Sequence, residues 1–117
     1  MTHAERRRQE RHNVWVKAVV QTSDITVPAI ATEISGDGLR IQCQKQMGPG
    51  TKVRIDLQLD EKVAIVGEIV WALNILVDTL NVYDMGIKTD IVYYEDIKVN
   101  KFSTRAEAVQ RIVERFK

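Results

Sequence analysis

Apolar residues recur at every second position through most of this chain, and that period of two limits the fold more than any other feature. Val53, Ile55, Leu57 and Leu59 alternate with Arg54, Asp56, Gln58 and Asp60, as a strand does when one face meets a core and the other water. Val14, Val16, Ala18 and Val20 repeat the pattern after Asn13, and Leu39, Ile41 and Cys43 repeat it again. Pro28 precedes a further stretch, Ala29 to Ile34. Between these runs stand turn-forming clusters, Ser35-Gly36-Asp37-Gly38 and Met47-Gly48-Pro49-Gly50, which reverse the chain over a few residues.

From Val63 to Leu73 apolar residues occupy both faces, so this strand is expected to be more deeply buried, with Gly67 marking a bulge or sharp bend. The apolar character continues through Val77, reverses near Asp78-Thr79 and returns through Leu80 and Val82 to Ile87. That is a long hairpin with an apolar tip, either folded over the barrel end or offered to a partner or second subunit. Only the C-terminus has helical spacing: Thr104 and Glu107 form a capping-box pattern, and Ala106, Val109, Ile112, Val113 and Phe116 make one apolar stripe. Five to seven short strands closed by one helix indicate an all-β antiparallel barrel or sandwich.

With 117 residues the chain has room for one such core. Three parts are expected: a flexible arginine-rich arm at 1–12, the β-body at 13–100, and an amphipathic helix at 103–117. No apolar run approaches the roughly 20 residues of a spanning helix, and the polar N-terminus has no apolar stretch of a secretory signal behind it. The expected location is therefore the cytoplasm, without membrane insertion. Cys43 is the sole cysteine, so it forms neither an intrachain disulfide nor the start of a usual zinc cluster, and core packing is its expected role.

Catalysis finds little footing. His3 and His12 both fall in the arm, and Ser35 lacks the G-x-S-x-G turn of a hydrolase nucleophile. Gly36-Asp37-Gly38 has neither the lysine nor the spacing of a phosphate loop. No catalytic set, metal site or resident cofactor is expected. A net charge of +1 argues against general nucleic-acid binding. The positive charge is local: Arg6, Arg7, Arg8 and Arg11 fall within six positions.

Two clusters carry more polar equipment than a plain barrel needs. Arg7 and Arg11, four residues apart, present guanidinium groups that pair bidentately with phosphate or with the O6/N7 edge of guanine. The same run is also what a solvated basic tail looks like. Glu33-Ile34-Ser35-Gly36-Asp37-Gly38 puts a carboxylate that can accept from guanine and a hydroxyl that can donate to phosphate at one turn, though a tight connection needs such residues too.

Together, the Arg7-x-x-x-Arg11 arm and the acidic-x-Ser-x-x-Gly turn at Glu33 to Gly38 resemble the PilZ family, which is marked by Arg-x-x-x-Arg and (Asp/Asn)-x-Ser-x-x-Gly. Gly67-Glu68-Ile69-Val70-Trp71 is similar to the family's Gly-x-Val-x-Trp strand, and Met85-Gly86-Ile87 to its last core strand. The resemblance implies a six-stranded antiparallel Greek-key β-barrel, here with one C-terminal α-helix. It also implies a surface groove that binds the bacterial second messenger c-di-GMP, and a protein partner, not yet identified, that reads the bound state. By that likeness Arg7 and Arg11 contact guanine and phosphate, Ser35 hydrogen-bonds the ligand, and Gly38 keeps the turn compact. Arg6 matches family members that take up a stacked pair of c-di-GMP, often with formation of a homodimer. Trp71 is read either as a core residue or as a stacking platform beside the groove.

Glu33 departs from the pattern. It stands where the family has Asp or Asn, which keeps the acceptor but moves it outward by about one bond length. PilZ-like domains with altered motifs serve as protein adaptors without the nucleotide, so receptor and adaptor both remain open at this point.

Overall fold

The computed structural model describes residues 11–95, 97–99, 110 and 113. Arg6, Arg7 and the rest of the arm before Arg11 lie outside the described residues, as does most of the helix expected at 103–117. Of that segment Gln110 and Val113 are helical, and Val113 is buried in the core.

The strands are β1 (His12–Gln21), β2 (Thr26–Ile34), β3 (Gly38–Cys43), β4 (Lys52–Gln58), β5 (Lys62–Val77), β6 (Leu80–Tyr94) and β7 (Ile97–Val99). They pair antiparallel in the order β3-β2-β1-β4-β5-β6-β7, and an added β3–β6 pairing closes the first six into a barrel. β1, β2 and β3 form a meander, and β4 returns to lie beside β1, so the connectivity is a Greek key. β7 extends the sheet only along the end of β6.

Alternation sets what lies inside. Val16, Ala18 and Val20 of β1 face Ile41 of β3, Ile55 of β4, and Ile69 and Met85 of the β5–β6 pair in one apolar core. Ile41, Ile55, Ile69, Met85 and Val20 are fully buried, each such side chain contributing about 1.5 to 3 kcal/mol relative to exposure. Cys43 belongs to this core, in keeping with its expected packing role.

Gly67 marks the bend its position suggested. The β5–β6 register shifts between Val66 and Gly67, and a Cβ at Gly67 would come within 2.2 Å of the Lys88 carbonyl oxygen. The two strands approach too closely there for any side chain. β2 starts earlier than the sequence indicates, at Thr26, with Pro28 inside it opposite Val19. The β2–β3 ladder begins only at Ala29 opposite Cys43, so the N–H that proline lacks has no β3 neighbour. Among the described residues no helix is long and apolar enough to cross a membrane.

Candidate functional site

The turn between β2 and β3 anchors one side of a surface groove. Ser35 N–H donates to the Gly38 carbonyl at 2.9 Å, and the Ser35 hydroxyl donates to Asp37 Oδ1 at 2.8 Å. Thr89 N–H donates to the Asp37 carbonyl at 2.9 Å, which ties the turn to β6. Gly38 suits the close approach, since a Cβ there would sit 3.1 Å from the Ile87 carbonyl oxygen, tighter than an ordinary contact. Ser35 is itself buried, and its one hydroxyl proton is spent on the turn.

Sheet closure then lines up residues distant in sequence. Glu33 pairs with Arg40, Arg40 with Gly86, and Gly86 with Trp71, giving one residue each from β2, β3, β6 and β5 in a single row. Gly86 leaves a gap in that row, and the Trp71 indole fills it: a Cβ on Gly86 would fall 2.0 Å from Trp71 Nε1. The Arg40 guanidinium lies 5.5 Å from the centre of the indole ring, a cation–π arrangement. Nε of Arg40 donates to Asp84 Oδ1 and Oδ2 at 3.0 and 3.1 Å, and Asp84 is buried. Arg40 is therefore held from both sides, and the Asp84 hydrogen bond raises its pKa above the usual guanidinium value.

At the near end Arg11 Nε faces Glu33 Oε1 at 3.7 Å. The Arg11 side chain is 79% exposed, so this contact is screened and weak, and Arg11 can exchange Glu33 for another anion.

Arg11, Glu33, the Ser35–Gly38 turn, Arg40 and Trp71 thus line one groove of about 330 Å³, and Lys88, opposite Gly38 in the ladder, lines it too. Every candidate site residue that is described lies in it: Arg11, Glu33, Ser35 and Gly38. Trp71, left between core and groove by the sequence, is 38% exposed and lines the groove. Sequence reasoning missed Arg40, Asp84 and Lys88. Arg40 and Lys88 carry only the polar phase of their strands, and nothing local links Arg40 to a carboxylate 44 positions away. Among the described residues no group of three or more His, Cys, Asp or Glu is placed to hold a metal ion.

The family model of the PilZ domain matches residues 5–91, a span containing both arginine and turn motifs, the Gly67–Trp71 strand and Met85-Gly86-Ile87. The chain belongs to the PilZ family. A solved structure similar to this PilZ domain is that of the Bacillus subtilis inhibitor of motility (MotI/DgrA), with a TM-score of 0.66 and 13% identity. The match covers 94% of this chain and 50% of that one, so the PilZ domain here corresponds to half of the neighbour's length. At that identity the likeness concerns the fold. The comparison with curated proteins gave no match.

Proposed function

We propose that this PilZ domain is a receptor for c-di-GMP in the bacterial cytoplasm that passes the bound state on through protein contacts, and that it acts by binding and not by catalysis. The reading rests on one observation: Arg11, Glu33, the Ser35–Gly38 turn, Arg40 and Trp71 converge on one groove although they come from three strands, the turn between two of them and the residue ahead of β1. Each suits part of a guanine nucleotide. An arginine at position 11 pairs with phosphate or with guanine O6 and N7. Glu33 accepts from the guanine N1 and N2 donors. The exposed Trp71 face offers a stacking surface, stiffened by Gly86 beneath and Arg40 above.

The family likeness assigns Arg6 and Arg7 to the ligand as well. An arm ordered by the nucleotide loses roughly 1 to 2 kcal/mol per residue in backbone entropy, offset by charge-assisted bonds to phosphate. The change in the arm is then what a partner protein reads. The similar solved structure is that of an inhibitor of motility, which makes control of motility one output to examine.

Calorimetric titration of the full chain with c-di-GMP, with cyclic di-AMP and GTP as controls, tests the proposal. Selective binding is expected, lost in both Arg7→Ala and Arg11→Ala. Unchanged affinity in both variants would overturn it. A ratio near two nucleotides per chain is the outcome expected if Arg6 supports a stacked pair.

One feature favours the adaptor reading: Ser35 and Glu33 already have internal partners in Asp37 and Arg11. Under that reading the domain is silent to c-di-GMP, and Glu33→Asp, which restores the family residue, brings measurable binding back.

A further inference from the structure

The β5–β6 hairpin extends well past the barrel. β4 accompanies β5 only from Lys62 to Glu68, and the Ile69 backbone is bonded to Gly50 and Thr51. From Val70 to Val77 the sole strand beside β5 among the described residues is β6, and β3 leaves β6 at Tyr83. The distal part is thus a two-stranded ribbon, an arrangement that is marginal in water unless further strands or a packing surface join it.

Its chemistry is unusual for free edges. Leu73, Ile75 and Val77 share a face with Val82 and Leu80, which lie across the ladder from Ile75 and Val77. Leu73, Leu76, Val77 and Leu80 are 58%, 72%, 48% and 56% exposed. Between Ile69 and Tyr83 there is no Lys, Arg, Glu or Pro, and the one charged residue is Asp78 at the turn. Of the devices that normally block edge pairing, charge and proline are missing from this stretch, and among the described residues no element covers it.

The turn also sets which backbone groups point outward. Asp78 and Thr79 both have positive φ, 48° and 69°, as a two-residue type I′ hairpin requires. Val77 and Leu80 then form a hydrogen-bonded pair, and by alternation so do Ile75 with Val82 and Leu73 with Asp84. Ala72, Asn74 and Leu76 are left with N–H and C=O directed to the side of β5 away from β6, where no described strand lies.

We propose that a second copy of this chain occupies that edge, with the two β5 strands antiparallel about a two-fold axis at Asn74. Asn74 then faces Asn74 of the second copy, Leu76 faces Ala72, and Leu73 faces Ile75. A two-fold contact requires a patch complementary to itself. This one meets its own image with no like charges opposed, and the two ribbons become four strands with one continuous apolar face. An eight-residue edge, Val70 to Val77, is a small interface, below about 1,200 Å² in total, so the dimer is reversible and concentration-dependent. The proposal is independent of the nucleotide reading.

Sedimentation and light scattering of the full chain without nucleotide, from about 1 to 200 μM, test it. The mass is expected to rise from 13.4 kDa toward twice that value. Leu76→Pro removes one outward N–H without touching the β5–β6 ladder, and Leu73→Lys puts a charge opposite Ile75. Both are expected to stay monomeric with unchanged circular dichroism. Asn74→Cys is expected to form a disulfide-linked dimer on mild oxidation, because hydrogen-bonded antiparallel pairs place Cα atoms about 5.5 Å apart. A monomer at every concentration would overturn the proposal, as would a dimer that persists in both Leu76→Pro and Leu73→Lys. So would a monomer whose Asn74→Cys thiol resists alkylation, which would put this chain's own tail on the edge.

Discussion

Arg40 on β3 and Asp84 on β6 form a charge pair across the sheet, with both carboxylate oxygens engaged and the carboxylate buried while the guanidinium reaches the groove. The two residues differ in what they lose if separated. Freed of Asp84, Arg40 still has water, since its side chain is 44% exposed. Freed of Arg40, Asp84 is a buried charge without its partner.

Arg40→Ala is therefore expected to destabilise the domain by about 1 to 3 kcal/mol, and Asp84→Asn by less. The double variant is expected to be more stable than Arg40→Ala alone, because it removes the stranded charge. Urea denaturation of the three proteins gives the coupling directly, and simple additivity would refute it.

The packing of Trp71 on Gly86 supplies a second prediction. A Cβ on Gly86 would fall inside the indole, so Gly86→Ala must push the ring out of its seat. The expected loss is about 1 to 3 kcal/mol, the usual cost of overpacking, with a changed Trp71 emission. Trp15 is 66% exposed and would add to the signal, so Trp15→Phe is the background in which to read it. In a Trp71→Ala background the penalty of Gly86→Ala is expected to disappear.

The Ser35 hydroxyl and the Asp37 carboxylate hold one turn with one hydrogen bond. Ser35→Ala and Asp37→Ala are each expected to cost about 1 kcal/mol. The double variant is expected to lose scarcely more than either single one, since the second change removes nothing new. Full additivity in denaturant titrations would mean that each side chain has a separate role.

Burial pushes the Cys43 thiol pKa up. The unfolded chain, with its lower thiol pKa, ionises first as pH rises. The thiol's contribution to stability is thus fully present below the ordinary thiol range and is lost as pH climbs through the raised folded value. Denaturation midpoints are expected to fall from about pH 8 upward, with a flatter alkaline limb in Cys43→Ala. A thiol reagent at neutral pH is expected to react only as fast as the protein opens.

Much of the barrel was legible in the chain. Strict alternation marked β1, β3 and β4, Ser35 to Gly38 marked the β2–β3 turn, and Asp78-Thr79 marked the long hairpin, because side-chain direction along a strand and positive-φ turns are local properties. The start of β2 was misplaced because Pro28 reads as a strand breaker unless its missing N–H is known to face no neighbour.

Of the groove, Arg11, Glu33, Ser35 and Gly38 were visible as motif residues, but their neighbours were not. Which side of β5 Trp71 would occupy could not be read where apolar residues fill both phases of the strand. Lys88 and Arg40 looked like any wet-face cations.

The residue pattern alone therefore determined antiparallel strands in a barrel or sandwich, an arginine-rich N-terminal segment and an acidic-serine-glycine turn, and the family likeness chose the barrel. Closure of the sheet decided that Glu33, Arg40, Gly86 and Trp71 stand in one row, that Asp84 holds Arg40, and that β5 runs on past the end of its pairing with β4. A strand's own sequence dictates which side chains share a face, but it carries no record of the strand beside it. Register is set by the competition of all pairings for one core, and only the folded barrel resolves that competition.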